Sequence, residues 1–134
     1  MSVLEAEARR AIEWDCARLV HYYANLNDGA EWEAAAALFA EEGLLVRPSA
    51  PDRSIAGRDA ILAAFLARPP RATRHVCANV VIDVLSADRA VGESAMLLFT
   101  GPGAPLVGSF HDRFTRTAEG WRFLERRGSL IFSG

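Results

Sequence analysis

The feature that most constrains this chain is its second half. From Arg74 onward four long stretches of strand character follow one another, at 74–86, 89–100, 106–117 and 121–132. The turns between them are short: Ser86-Ala87-Asp88, Gly101-Pro102-Gly103 and Ala118-Glu119-Gly120. Connections this short make hairpins and leave no room for crossover helices, so the spacing predicts an antiparallel meander. Such a sheet needs something to cover its apolar face.

The first half supplies the cover. Leu4, Ala8, Ala11, Ile12, Asp15, Leu19, Tyr22, Tyr23 and Leu26 recur mostly at three- and four-residue steps, with Asp15 the polar exception. That period predicts a long first helix, stopped by the turn signal Asn27-Asp28-Gly29. A second, shorter helix is expected from about Glu31, with Trp32, Ala36, Leu38 and Phe39 on its apolar side and Gly43 at its end. Leu44-Leu45-Val46 reads as a short strand, Pro48 to Ser54 as a loop and Ile55-Ala56 as a brief strand. A third helix runs from Arg58 to about Ala67, with Ile61, Leu62, Phe65 and Leu66 apolar, and Pro69-Pro70 stops it. Helices followed by a meander define an α+β class. A length of 134 residues fits one domain, 1–134.

Composition excludes several function classes. Hydrophobic residues are 51% and charged residues 24%, a globular rather than disordered balance. The net charge is −2 with both signs interleaved and no basic stripe, which argues against nucleic-acid or anionic-membrane partners. No apolar run reaches the ~20 residues of a membrane helix, and MSVLEAEARRAIEWD lacks a signal-peptide core. Cys16 and Cys77 are too few for a disulfide framework. A cytoplasmic location is the expectation.

The strand RHVCANVVIDVL, residues 74–85, carries more than its type. Uninterrupted alternation puts His75, Cys77, Asn79, Val81 and Leu85 on one face and Val76, Ala78, Val80, Ile82 and Val84 on the other. Both faces are largely apolar. Helices cover one, and the other is expected to meet a second subunit, as in a homodimer packed through the outer sheet face.

Chemistry centres on His75, Asp28, Asp112, Tyr22 and Tyr23. A carboxylate beside an imidazole orients the ring and stabilises its protonated form, which makes a general base. Each residue also has a bland reading. Asp28 precedes Gly29 as a turn residue would, and His75 could be a strand-edge residue. Asp112, between Phe110 and Phe114, could pair with Arg74 or Arg126. The tyrosines could be helix core or rim, and Asn79 could bond within the sheet. Cys77 shares the His75 face, but residues two apart on a strand sit roughly 7 Å apart, too far for direct proton transfer. His21, His75 and His111 are scattered, so no metal site is expected. The glycines of TGPGAPLVG do not sit between strand and helix, so no phosphate loop is expected. Arg47, Arg53, Arg58, Arg68, Arg71 and Arg74 read as solvated edges.

Several landmarks together resemble the SnoaL-like family of the nuclear-transport-factor-2-like superfamily. They are Tyr23-Ala24-Asn25-Leu26-Asn27-Asp28 with Trp32, then Leu38-Phe39, Ile55-Ala56-Gly57-Arg58-Asp59-Ala60-Ile61, and Thr73-Arg74-His75 with Asn79. Gly108-Ser109-Phe110-His111-Asp112-Arg113-Phe114 and Gly120-Trp121-Arg122-Phe123 with Arg126 complete the set, which spans nearly the whole chain. The resemblance implies a cystatin-like cone: a curved mixed β-sheet wrapped around three N-terminal helices, with an apolar pocket in its mouth and dimers through the outer sheet. Scytalone dehydratase and hexachlorocyclohexane dehydrochlorinase are similar around the first helix end and the strand histidine. Their Asp–His general base matches Asp28 and His75. The family often has tyrosine where this chain has Phe110, and Asp112 matches its usual acidic position.

The expectation is therefore a cofactor-free and metal-free enzyme of the lyase or isomerase kind. His75, oriented by Asp28, would deprotonate a small hydrophobic or cyclic molecule, with elimination, dehydration or isomerisation as the outcome. Tyr22, Tyr23, Trp32, Phe65, Met96, Leu98, Phe110 and Asp112 are the expected substrate-binding residues. The alternative is a non-catalytic hydrophobic-ligand module or the small subunit of a ring-hydroxylating dioxygenase.

Overall fold

The computed structural model describes residues 4–132. The chain runs α1 (Ala6–Asp28), α2 (Trp32–Ala36), β1 (Phe39–Val46), β2 (Ser54–Ala56), α3 (Arg58–Leu66), β3 (Arg74–Val84), β4 (Arg89–Phe99), β5 (Leu106–Thr117) and β6 (Gly120–Leu130). One six-stranded sheet has the order β2-β1-β6-β5-β4-β3. Only β1 and β6 pair in parallel, so the expected meander β3–β6 is extended into a mixed sheet by β1 and β2. The helices fill the concave side of this curved sheet, and the fold class is α+β.

α1 buries Ile12, Cys16, Leu19, Val20, Tyr23, Ala24, Leu26 and Asn27. This stripe is rotated from the expected one: Ala8, Ala11, Asp15 and Tyr22 are exposed. Cys16 takes the inward place because it lies four residues after Ile12 and three before Leu19. The helix ends in a Schellman arrangement. Ala30, at φ 54°, occupies the left-handed position; its N–H donates to Asn27 O at 3.1 Å, and Glu31 N–H donates to Leu26 O at 2.9 Å.

The expected second helix is too long. Leu38 and Phe39 leave it, and Phe39 opens β1 opposite Phe123 of β6. Gly43 does not end a helix. It lies inside β1, where the register with β6 shifts and where a Cβ would sit 2.9 Å from Ala40 O. The short apolar run there fits a helix or a strand equally well. Pairing with a strand eighty residues away selects the strand.

A β-bulge changes the reading of β3. Ala78 pairs with Ala95 and Val81 with Glu93, so Asn79 and Val80 together face Ser94 alone. Asn79 takes φ 55°, a left-handed conformation that asparagine tolerates. The bulge reverses the alternation. His75 and Cys77 point to the concave side and so do Val80, Ile82 and Val84, while Arg74, Val76, Ala78, Asn79, Val81 and Asp83 are exposed. The two unbroken faces expected from alternation do not exist. The outer apolar surface includes exposed Val81 and a patch at the end of the sheet where Val76 pairs with Leu97 and Leu97 with Val107, beside Ile131.

The core lies between α1, α3 and the sheet. Cys16, Val20, Ile61, Phe65, Phe114 and Phe123 are fully buried there. Tyr23 is its hub, with ring centroids 5.9–6.4 Å from Phe39, Phe65, Phe110 and Phe123.

Candidate functional site

The open end of the cone holds a cavity of about 450 Å³. Its wall is built from the end of α1, the end of β1 with Pro48 and Ser49, the segment after α3, and the near ends of β3, β4, β5 and β6. Two prolines shape the wall. Pro69-Pro70 stops α3 and turns the chain toward β3, while Pro48 lies across Gly128, where a Cβ would meet its ring at 2.4 Å.

His75 lines this cavity, and Asp28, which does not line it, contacts the imidazole. His75 Nδ1 is 2.6 Å from Asp28 Oδ1, and the side chains are 15% and 8% exposed. The other contacts fix the carboxylate: Thr73 Oγ1–H donates to Oδ1 at 2.9 Å and the His75 backbone N–H donates to Oδ2 at 2.8 Å. Asp28 sits in the last turn of α1, at the negative end of the helix dipole, where a carboxylate is intrinsically disfavoured. Three donors offset that cost. A carboxylate can only accept, so Nδ1 carries the proton and Nε2 presents a lone pair. Nε2 has no hydrogen-bond partner among the described residues, and His75 lines the cavity.

The expected substrate-binding residues divide. Tyr23, Trp32, Met96, Leu98 and Phe110 line the cavity. Tyr22 does not. It is 45% exposed on the opposite flank of α1, under the guanidinium of Arg18, because it lies one residue, about 100°, round the helix from Tyr23. Phe65 is fully buried behind the wall, 5.5 Å from the Trp32 ring, so it supports the wall without forming it.

Asp112 is also outside the cavity. Arg126 Nη1 donates to its Oδ2 at 2.8 Å, with both side chains essentially unexposed. The Arg126 guanidinium lies 3.7 Å from the Phe110 centroid and 4.7 Å from those of Tyr23 and Phe123. Asp112 Oδ1 and Arg126 Nε and Nη2 are buried without hydrogen-bond partners. Burial pushes the Asp112 carboxyl up to about 6, with Arg126 working against it. Asp112 thus has the bland role weighed for it, a buried ion pair.

The cysteines are poor nucleophiles. Burial pushes Cys16 up to about 12 and raises Cys77 above the ordinary thiol value. Burial likewise raises the Tyr23 phenol. Among the described residues no group of three or more His, Cys, Asp or Glu side chains could hold a metal ion, and no helix is long and apolar enough to cross a membrane.

Three residues read as solvated edges belong to the site. Arg47, Arg68 and Arg71 line the cavity, together with Asn27, which accepts a hydrogen bond from Arg68 Nη1 at 2.8 Å. One signal was present: Arg68 and Arg71 flank Pro69-Pro70 only a few residues before His75. Arg47 carried none, since it arrives on β1 from the other side of the sheet.

A family model for the SnoaL-like domain matches residues 5–127. The chain belongs to the SnoaL-like family. Solved structures agree with the family's nuclear-transport-factor-2-like, cystatin-like fold. A scytalone dehydratase candidate from Novosphingobium aromaticivorans superposes with a TM-score of 0.82 at 23% identity, covering 96% of this chain and 89% of that one. The hexachlorocyclohexane dehydrochlorinase LinA, type 2, gives 0.84 at 15% identity over 96% and 90% of the two chains. ActVI-ORFA from Streptomyces coelicolor gives 0.74 at 20% identity over 90% and 98%. At these identities the likeness establishes the fold. No curated protein matches the chain.

Proposed function

We propose that this SnoaL-like protein is a lyase or isomerase in which His75, oriented by Asp28, removes a proton from carbon in a small hydrophobic or cyclic substrate. The observation that carries the reading is the 2.6 Å contact between Asp28 Oδ1 and Nδ1 of His75, an imidazole that lines a largely apolar cavity. Nε2 takes the proton, and the Asp28 carboxylate stabilises the imidazolium that forms. Departure of a leaving group from the neighbouring carbon completes an elimination or dehydration. Return of the proton to another carbon completes an isomerisation. The base is supplied by the chain itself, so neither step calls for a metal or organic cofactor. A non-catalytic ligand module or dioxygenase small subunit has no use for an imidazole held this tightly. The names of two structural relatives, a dehydratase candidate and a dehydrochlorinase, point the same way.

The test is turnover of cyclic β-hydroxyketones and β-halogenated rings, with product followed in the ultraviolet or by released halide. A substrate consumed by the native protein and equally well by His75→Ala would remove His75 from the mechanism.

The protein is also proposed to form a homodimer through the outer sheet face. Val76 is 44% and Ile131 59% exposed at the apolar end of that face. Sedimentation of the native chain against Val76→Glu tests this. A native monomer at micromolar concentration would end the proposal.

A further inference from the structure

The cavity that holds His75 also holds three guanidinium groups, and no carboxylate lines it. The whole chain has 15 basic and 17 acidic residues, so an all-positive cavity does not follow from composition. None of Arg47, Arg68 and Arg71 forms an ion pair among the described residues. Arg47 Nε and Nη2 are buried without a hydrogen-bond partner. Arg68 Nη1 donates to the neutral acceptor Asn27 Oδ1, and its guanidinium lies over aromatics, 5.2 Å from the Trp32 ring centroid and 4.7 Å from that of Phe65. Burial lowers the Arg68 guanidinium from its ordinary value; Tyr23 opposes this, and the Arg47 and Arg71 charges lower it further.

Like charges gathered in a partly closed space repel one another more strongly than they would in water. Desolvated guanidinium atoms without partners add to the cost. A bound anion offsets both. Guanidinium forks match the two oxygens of a carboxylate, and the Trp32 and Phe65 rings beside Arg68 limit where its fork can go. The rest of the wall, including Met96, Leu98 and Phe110, is apolar.

We infer that the cavity binds an apolar molecule bearing a carboxylate, the carboxylate held by Arg47, Arg68 and Arg71 and the ring or chain resting on Met96, Leu98 and Phe110. As a statement about the substrate it rests on the proton-transfer reading above. As a statement about binding it stands separately. The acid end anchors the molecule, and the apolar body lies in the space that His75 borders. Cations without an ion pair, with Nε and Nη2 of Arg47 buried and Arg71 exposed at the rim, select for charge, because a neutral analogue of the same shape leaves the buried guanidinium atoms unpaired.

Calorimetric binding of benzoate, cinnamate and 1-naphthoate, each against its own primary amide, tests the inference. The expected result is an acid bound about tenfold or more tightly than its amide, as a charge-assisted bidentate contact requires. That preference should weaken as salt is raised. It should shrink to about threefold or less in the double variant Arg47→Gln/Arg71→Gln, given that each lost contact to a charged group matters. Arg68→Gln should act the same way. Because Arg68 also holds Asn27, the double variant carries the result if Arg68→Gln fails to fold. Equal affinity for acid and amide, a preference that survives in the double variant, or no binding of any of the three acids would each overturn the inference. Acids that bind with the stated preference but are never turned over would count against the proton-transfer reading alone.

Discussion

Two aspartates among the described residues hold a basic partner, and the difference between them separates the proposed catalytic pair from a structural one. Asp28 is a carboxylate at a helix end with three donors, and it holds an imidazole that lines the cavity and whose far nitrogen has no hydrogen-bond partner among the described residues. Asp112 is a buried carboxylate in mid-sheet with one bond to Arg126, whose guanidinium lies over Phe110, Tyr23 and Phe123. The first pair is satisfied by hydrogen bonds, and its partner is an imidazole. The second keeps orphaned polar atoms, and its partner is a guanidinium. A place on the cavity lining for the partner, not the presence of an acid–base pair, distinguishes them.

The comparison predicts opposite losses. His75→Ala should lower turnover of any accepted substrate by about 10²–10⁴-fold, while Asp28 keeps its Thr73 and backbone donors and the urea midpoint moves little. A large stability loss with unchanged turnover would reverse the roles assigned to the two pairs. Arg126→Met should do the reverse, costing about 3–5 kcal/mol in urea unfolding by stranding the buried Asp112 charge. A loss below about 1 kcal/mol would show that Asp112 does not depend on the pair.

Acidity sharpens the contrast. The Asp112 carboxyl is raised to about 6 in the folded protein, above its unfolded value, so the folded state takes up the proton first. By linkage its contribution becomes more favourable as pH falls from about 7 toward 4. Native protein should therefore gain stability relative to Asp112→Asn over that interval in parallel thermal melts. A difference that is flat with pH would mean that the carboxyl is not shifted. The smallest effect is expected from Thr73→Val, which removes one of the three Asp28 donors: about 1 kcal/mol of stability. Its loss of turnover should be far smaller than that of His75→Ala. A loss as large would make Thr73 part of the chemistry.

Much of this was legible in the residues. Turn chemistry at Ser86–Asp88 and Ala118–Gly120 placed the strand ends to within a residue or two, since such turns act locally. Asp28 and His75 could be named because each lies at an element end and the pair matches a family landmark. Less visible were features set by distant partners. Leu38-Phe39 looked helical until β6 offered a place beside Phe123. Arg126 and Asp112 could only be guessed as a pair, and the arginines around Pro69-Pro70 looked like surface.

By itself the sequence determined the order of helices and strands and the α+β class, because periodicity and turn residues operate over a few positions, while the two residues of the candidate base were named through the resemblance to the family. The tertiary structure decided three other things. The bulge at Asn79 turns His75 and Ile82 to the same side of β3. The parallel pairing of β1 with β6 brings Arg47 to the cavity. Closure of the cone then gathers Arg47, Arg68 and Arg71 around a space that no carboxylate lines. Each depends on pairing between segments far apart in the chain, where the free energy of the whole sheet outweighs local preference.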